Sequence, residues 1–253
     1  MTARSPLRRL VAPFFAASLA LTVGACGSQD AEATPVESAA PLATVPPPTG
    51  QTWAEVAAVT AEGGYLIGNP DAPIKLVEYA SLTCPACAAF SQAAAQPLDE
   101  EYVNSGRVSF ELRSFLIHGP LDLALTRLIE CGQPAAVHPL ANQVWANLDQ
   151  ILNQAQAAQP QLEAALQQPP QQRFVAFAQA AGLYDFFAAR GIPETQARQC
   201  LADTAAIERL ANNSQQYSQD GVNSTPTFFL NGQQLGGNQW PAVEAALQRA
   251  GAR

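Results

Sequence analysis

The chain has 253 residues, 48% of them apolar, with 13 basic and 21 acidic side chains and a formal charge of −8 at pH 7. That length suffices for one sizeable core or for a domain with an insertion. The acidic balance, with Lys75 as the lone lysine, argues against nucleic acid and against electrostatic attachment to anionic lipid.

The first predicted element is an export signal over residues 1–25. Arg4, Arg8 and Arg9 form a basic start, and Leu10 to Val23 is mostly apolar but too short for a comfortable membrane span. Val23-Gly24-Ala25-Cys26 resembles a bacterial lipobox, in which the cysteine is lipidated and becomes the mature N-terminus. The alternative is an ordinary signal peptide cleaved nearby. Residues 26–51 are then expected to be a disordered tether: Pro35, Pro41 and Pro46 to Pro48 interrupt small and polar residues that cannot build a core.

Ile74 to Tyr79 reads as a buried strand, and Ala88 to Tyr102 as an alanine-rich helix. Cys84-Pro85-Ala86-Cys87 stands between them. Pro85 suits the first helical position, which makes Cys84 the N-cap and puts Cys87 within the first turn. A thiolate at Cys84 faces unpaired N–H groups and the positive end of the helix, both of which lower its pKa. Half a zinc site is the rival reading, but a second CxxC or a close histidine pair is lacking. The strand–CxxC–helix context points to thiol–disulfide exchange.

Asn104-Ser105-Gly106 stops the helix, and Arg107 to Leu112 alternates as a strand. His118 follows it. It is expected to cap a loop rather than to sit beside the cysteines. Residues 121–218 are helical in pattern, with Leu121, Leu125, Leu128 and Ile129 on one apolar face. His138 at a helix start is given no chemistry, and the glutamine-rich stretch 154–172 is expected to be a loose excursion. Thr227 to Leu230, the turn Asn231-Gly232 and a return strand over residues 233–236 form a hairpin. A helix from Trp240 to Ala250 closes the chain. Trp53, Trp145 and Trp240 are read as core.

Five cysteines sort by this reading: Cys26 is lipidated, Cys84 and Cys87 form the active pair, and Cys131 and Cys200 remain. In an oxidising compartment the last two can pair; otherwise they stay as buried thiols.

Two stretches carry a family resemblance. Val77-Glu78-Tyr79-Ala80-Ser81-Leu82-Thr83-Cys84-Pro85-Ala86-Cys87 and Gly221-Val222-Asn223-Ser224-Thr225-Pro226-Thr227-Phe228 are similar to the DsbA-like branch of the thioredoxin superfamily. The resemblance implies an α/β thioredoxin fold over residues 52–118 and 219–253, with a helical insertion over 119–218. It implies that Pro226 is a cis-proline facing the active pair. The backbone of Thr225 would pair with a substrate strand, and Glu78 would be a buried acid that relays a proton to Cys87. Strong oxidants of the family carry a histidine between the cysteines. Pro85-Ala86 departs from that and implies a milder couple.

The expected function is therefore an exported, lipid-anchored thiol:disulfide oxidoreductase, acting as a monomer on thiols of exported proteins. It would support disulfide formation, with a membrane redox partner and no metal or organic cofactor. The rival readings are a reductase or isomerase of the same superfamily, and a carrier that holds Cu(I) or zinc on Cys84 and Cys87.

Overall fold

The computed structural model describes residues 39–253. The export signal and Cys26 lie outside the described residues. Among the described residues, no helix is long and apolar enough to cross a membrane.

Among the described residues, six strands form one sheet: β1 (Ala57–Val59), β2 (Tyr65–Gly68), β3 (Ile74–Ala80), β4 (Val108–Ser114), β5 (Thr227–Leu230) and β6 (Gln233–Gln234). Their order is β1-β2-β4-β3-β5-β6. β3 and β4 are parallel and the other pairs are antiparallel. The parallel crossover is made by helix α1 (Pro85–Pro97) and a wider helical turn over Leu98–Val103. Pro97 has no N–H to continue the regular ladder, and the helix widens just after it.

Side chains of β3 alternate across the sheet. Ile74, Leu76, Glu78 and Ala80 fall on one face at a spacing of two, and all four are buried. Ile74 and Leu76 share a core with Phe90 of α1, Phe228 of β5, and Trp240 and Leu247 of the last helix. The β5–β6 turn puts Asn231 at φ 49° and Gly232 at φ 81°, the left-handed pair that a two-residue hairpin requires.

Eight helices lie between β4 and β5: α2 (Pro120–Ile129), α3 (Val137–Ala146), α4 (Leu148–Ala157), α5 (Gln159–Leu166), α6 (Pro170–Ala180), α7 (Leu183–Ala188), α8 (Glu194–Ala202) and α9 (Thr204–Gln219). Helix α10 (Trp240–Arg249) ends the chain. The helical block has its own core around Leu125, Leu128, Phe177, Phe187 and Leu201, which extends to Leu82, Cys84 and Cys87. The active pair thus lies where the two cores meet. Trp53, Trp145 and Trp240 are all buried.

Three expectations need correction. Residues 154–172 are not a loose excursion: α4, α5 and the start of α6 run through them, and Leu162 and Ala165 join the helical core. The tether over 26–51 is not free along its whole length. The backbone N–H groups of Ala39, Leu42 and Val45 donate to the carbonyls of Arg249, Gly251 and Ser105. Trp53 Nε1 donates to the Val45 carbonyl at 2.7 Å. The return strand after Asn231-Gly232 is two residues long, and Leu235 and Gly236 lie outside it.

Candidate active site

Strand β3 delivers the chain to the turn Ser81-Leu82-Thr83, and Cys84 caps α1 with extended backbone (φ −92°, ψ 118°) while Pro85 opens the helix. Cys84 is 6% exposed and Cys87 is fully enclosed. Both are free thiols here.

The two cysteines differ in ionisation. The Cys84 thiol is held down at about 5, first by its contact with Cys87, then by hydrogen bonding to Thr225 and by the backbone N–H groups of Cys87 and Ala86. Burial works against this and is outweighed. Cys87 is pushed far up, mostly by burial, then by Cys84 and by the charge of Glu78. One cysteine is a thiolate at neutral pH while its neighbour keeps its proton.

Thr225 stands two residues before β5, with its carbonyl oxygen 3.4 Å from Cys84 Sγ. The Thr225–Pro226 peptide is cis, and Pro226 is buried. Residues 141 apart in sequence are thus in contact, because β5 pairs directly with β3.

Glu78 lies in the inward series of β3, flanked by Leu112 of β4 and Phe228 of β5. It is 1% exposed, and its Oε1 has no hydrogen-bond partner. Burial, with the Cys84 charge second, pushes its carboxyl up to about 8. The sign of the stability effect follows. An unfolded carboxyl ionises near 4.5 and the folded one near 8, so unfolding releases a proton between these values. Glu78 therefore costs the reduced protein stability as pH rises through that window. Glu78→Gln is expected to stabilise it by a margin that grows from pH 5 to pH 8, read as urea midpoints at both. A margin that stays level or shrinks would mean Glu78 is ionised at neutral pH.

The turn before Cys84 is tied down by polar groups that the sequence reading left without a role. Thr83 Oγ1 is 2.8 Å from His118 Nδ1 and 3.0 Å from Ser81 Oγ. Asp122, in the first turn of α2, accepts the Leu82 N–H at 2.9 Å. Trp145 Nε1 of α3 donates to the Ser81 carbonyl at 3.0 Å. His118 does sit in a loop, as expected, but its ring is hydrogen-bonded to the residue preceding Cys84. The signal that could have singled out Asp122 is an acid beside Pro120 at a helix start, where it meets free N–H groups. His138 is buried in α3, with Nε2 2.7 Å from the Tyr65 carbonyl. Burial lowers its pKa to about 4 and keeps it neutral.

Away from the pair, Cys131 and Cys200 are bonded, with Cα atoms 5.9 Å apart. They link the end of α2 to α8.

Residues 60–249 match the profile of a family described as thioredoxin. A Rickettsia bellii protein named as a protein-disulfide oxidoreductase is 26% identical over 190 residues, 75% of this chain and 65% of that protein. The chain thus spans less than two thirds of that curated relative's length. A crystal structure of protein-disulfide isomerase from Novosphingobium aromaticivorans is 27% identical, with a TM-score of 0.68, over 75% of this chain and 97% of that one. Wolbachia pipientis alpha-DsbA1 shares the fold at 19% identity and a TM-score of 0.60, over 76% of this chain and 92% of that one. With this profile over most of its length and this arrangement of sheet and helices, the chain belongs to the thioredoxin family, with α2–α9 inserted between β4 and β5.

Proposed function

We propose that the chain is a protein thiol:disulfide oxidoreductase that exchanges disulfides with thiols of exported proteins. The observation that carries this reading is the asymmetry of the pair: a stabilised thiolate at Cys84 beside a protonated, enclosed Cys87. The names of the Rickettsia and Novosphingobium relatives agree with it. Cys84 forms the mixed disulfide with a client. The Thr225 backbone beside it offers main-chain pairing to an extended client segment. Cys87 resolves the mixed disulfide, and Glu78 takes the Cys87 proton.

Export through residues 1–25, attachment through a lipidated Cys26 and a membrane protein as redox partner complete the proposal. Oxidation of clients is the favoured direction, because a thiolate held near pH 5 stabilises the reduced form. A value of about 5 lies between the ~7 of thioredoxin and the ~3.5 of DsbA, in keeping with a couple milder than the strongest oxidants.

Equilibration in glutathione buffers tests this. The Cys84–Cys87 pair is expected to titrate between about −270 and −120 mV, the span from thioredoxin to DsbA. A pair that fails to equilibrate with glutathione but takes up Cu(I) on both sulfurs would replace this reading with the metal-carrier one.

A further inference from the structure

The turn Ser81-Leu82-Thr83 carries the chain from β3 into Cys84, and each backbone N–H from Leu82 to Cys84 has a fixed partner. Leu82 N–H donates to Asp122 Oδ1 at 2.9 Å, and Thr83 N–H to Ser81 Oγ at 3.2 Å. Cys84 N–H donates to the Ser81 carbonyl at 3.2 Å, which also accepts from Trp145 Nε1. The turn therefore hangs on the placement of Ser81. Its hydroxyl is 3.0 Å from Thr83 Oγ1, and Thr83 Oγ1 is 2.8 Å from His118 Nδ1. Ser81 Oγ lies 3.4 Å from that same nitrogen.

Ser81, Leu82 and Thr83 are buried, whereas His118 is exposed. Enclosed hydroxyls depend on the partners that the protein supplies. The imidazole is brought to them by the loop after β4. Phe115 N–H donates to the Ala80 carbonyl at 2.8 Å, and Leu116 N–H to Ser214 Oγ of α9 at 2.9 Å. Gly119 follows His118 at φ 74°, and Pro120 opens α2. The loop is thus fastened before His118 by β3 and α9, and after it by α2.

Pro85 and Ala86, between the cysteines, have no side-chain donor or acceptor. The Cys84 thiolate is favoured instead by its placement, against Cys87, Thr225 and the first N–H groups of α1. Hydrogen bonds weaken steeply with distance and angle, so the seat of Cys84 decides their strength. The titratable groups around the turn are Glu78 on β3, Cys84 and Cys87 at the start of α1, His118 on the loop and Asp122 on α2. Asp122 is raised by burial to about 6 and is ionised at neutral pH.

We propose that His118 is a positioning residue for disulfide exchange. Its Nδ1 fixes the Thr83 and Ser81 hydroxyls, and through them seats Cys84 on the end of α1 beside the Thr225 carbonyl. His118 acts through Thr83 and needs no contact with either sulfur. The inference rests on the reading of Cys84 as the nucleophile.

The full chain carrying Cys26→Ser, reduced at Cys84 and Cys87, is alkylated with iodoacetamide over a range of pH, and the rate at Cys84 is followed by peptide mapping. His118→Ala and Thr83→Val are each expected to raise the midpoint of that profile by about one pH unit, a tenfold loss of thiolate stabilisation. Equilibrium with glutathione should move about tenfold toward the Cys84–Cys87 disulfide, which is ~30 mV. The double variant should do no more than either single one, because both cut the same chain of bonds. His118→Asn keeps a polar atom where the ring has Nδ1 and carries no ring charge, so it should restore the parent profile. If either single variant keeps the parent profile, or if the double variant loses about a hundredfold, the hydroxyl chain does not seat Cys84 and the proposal falls. If His118→Asn behaves as His118→Ala does, the charge of the ring acts and not its hydrogen bond, which also overturns it. Cys84→Ser, assayed alongside, separates the two readings. Exchange that persists in Cys84→Ser overturns the nucleophile assignment itself. Exchange lost there, with parent-like His118 and Thr83 variants, overturns the positioning role alone.

Discussion

Cys84→Ser is expected to reduce disulfide exchange to background, and Cys87→Ala to accumulate mixed disulfides with client proteins. With its thiol near pH 5, Cys84 is about 99% thiolate at pH 7. The thiolate is the nucleophile and serine has no comparable ionised form there, so the attacking group is lost outright. Cys87 is enclosed by the helical core and keeps its proton, so it is a poor first nucleophile. Once a client sulfur is on Cys84, however, Cys87 is the neighbouring thiol that can displace it. Alkylation of the reduced protein with limiting iodoacetamide, followed by peptide mapping, tests the assignment. Label on Cys84 before Cys87 is expected, and the reverse order would exchange their roles.

Removal of the second pair should be felt in stability. Cys131 and Cys200 are 69 residues apart in sequence, and the loop between them contains α3 to α7. In the chain-entropy model, closing a loop of this length is worth about 4 kcal/mol. Around the bridge, Arg127 Nε donates to the Cys200 carbonyl at 3.1 Å and Gln196 Nε2 to the Cys131 carbonyl at 2.7 Å. These contacts survive substitution of the sulfurs, so the loss should act mostly through the unfolded chain. The double variant Cys131→Ala/Cys200→Ala is expected to melt roughly 8–16 °C lower, at ~2–4 °C per kcal/mol for a chain of this size. An unchanged melting temperature would mean that the bridge constrains neither state. The Cys84–Cys87 pair should titrate as in the parent, because the bridge lies at the far end of α2.

What could be read from the residues alone was local. A run of β-formers into Cys84-Pro85-Ala86-Cys87 dictates a strand, a cap and a helix start, because each depends on neighbours within four positions. The burial of Glu78 follows from its place in the alternating series with Ile74, Leu76 and Ala80. The positive φ angles at Asn231 and Gly232 are written in those two residue types. The family resemblance supplied what spacing does not: it implied that Thr225 and Pro226 stand beside Cys84.

Tertiary structure decided the rest. The second half of α4 and helix α5 are rich in glutamine and alanine, so their pattern is faint. They are held by a few contacts such as Leu162 and Ala165 in the helical core. The short strands β1 and β2 have no pattern long enough to read, and β2 exists as a strand through its pairing with β4. Residues 39–45 are fastened through backbone N–H groups, which composition cannot register. His118, Asp122 and Trp145 reach the Ser81–Thr83 turn from three different segments. A side chain's chemistry is written in the chain. Which buried donor or acceptor it meets is set by how the helical block docks on the sheet, through contacts between residues tens of positions apart.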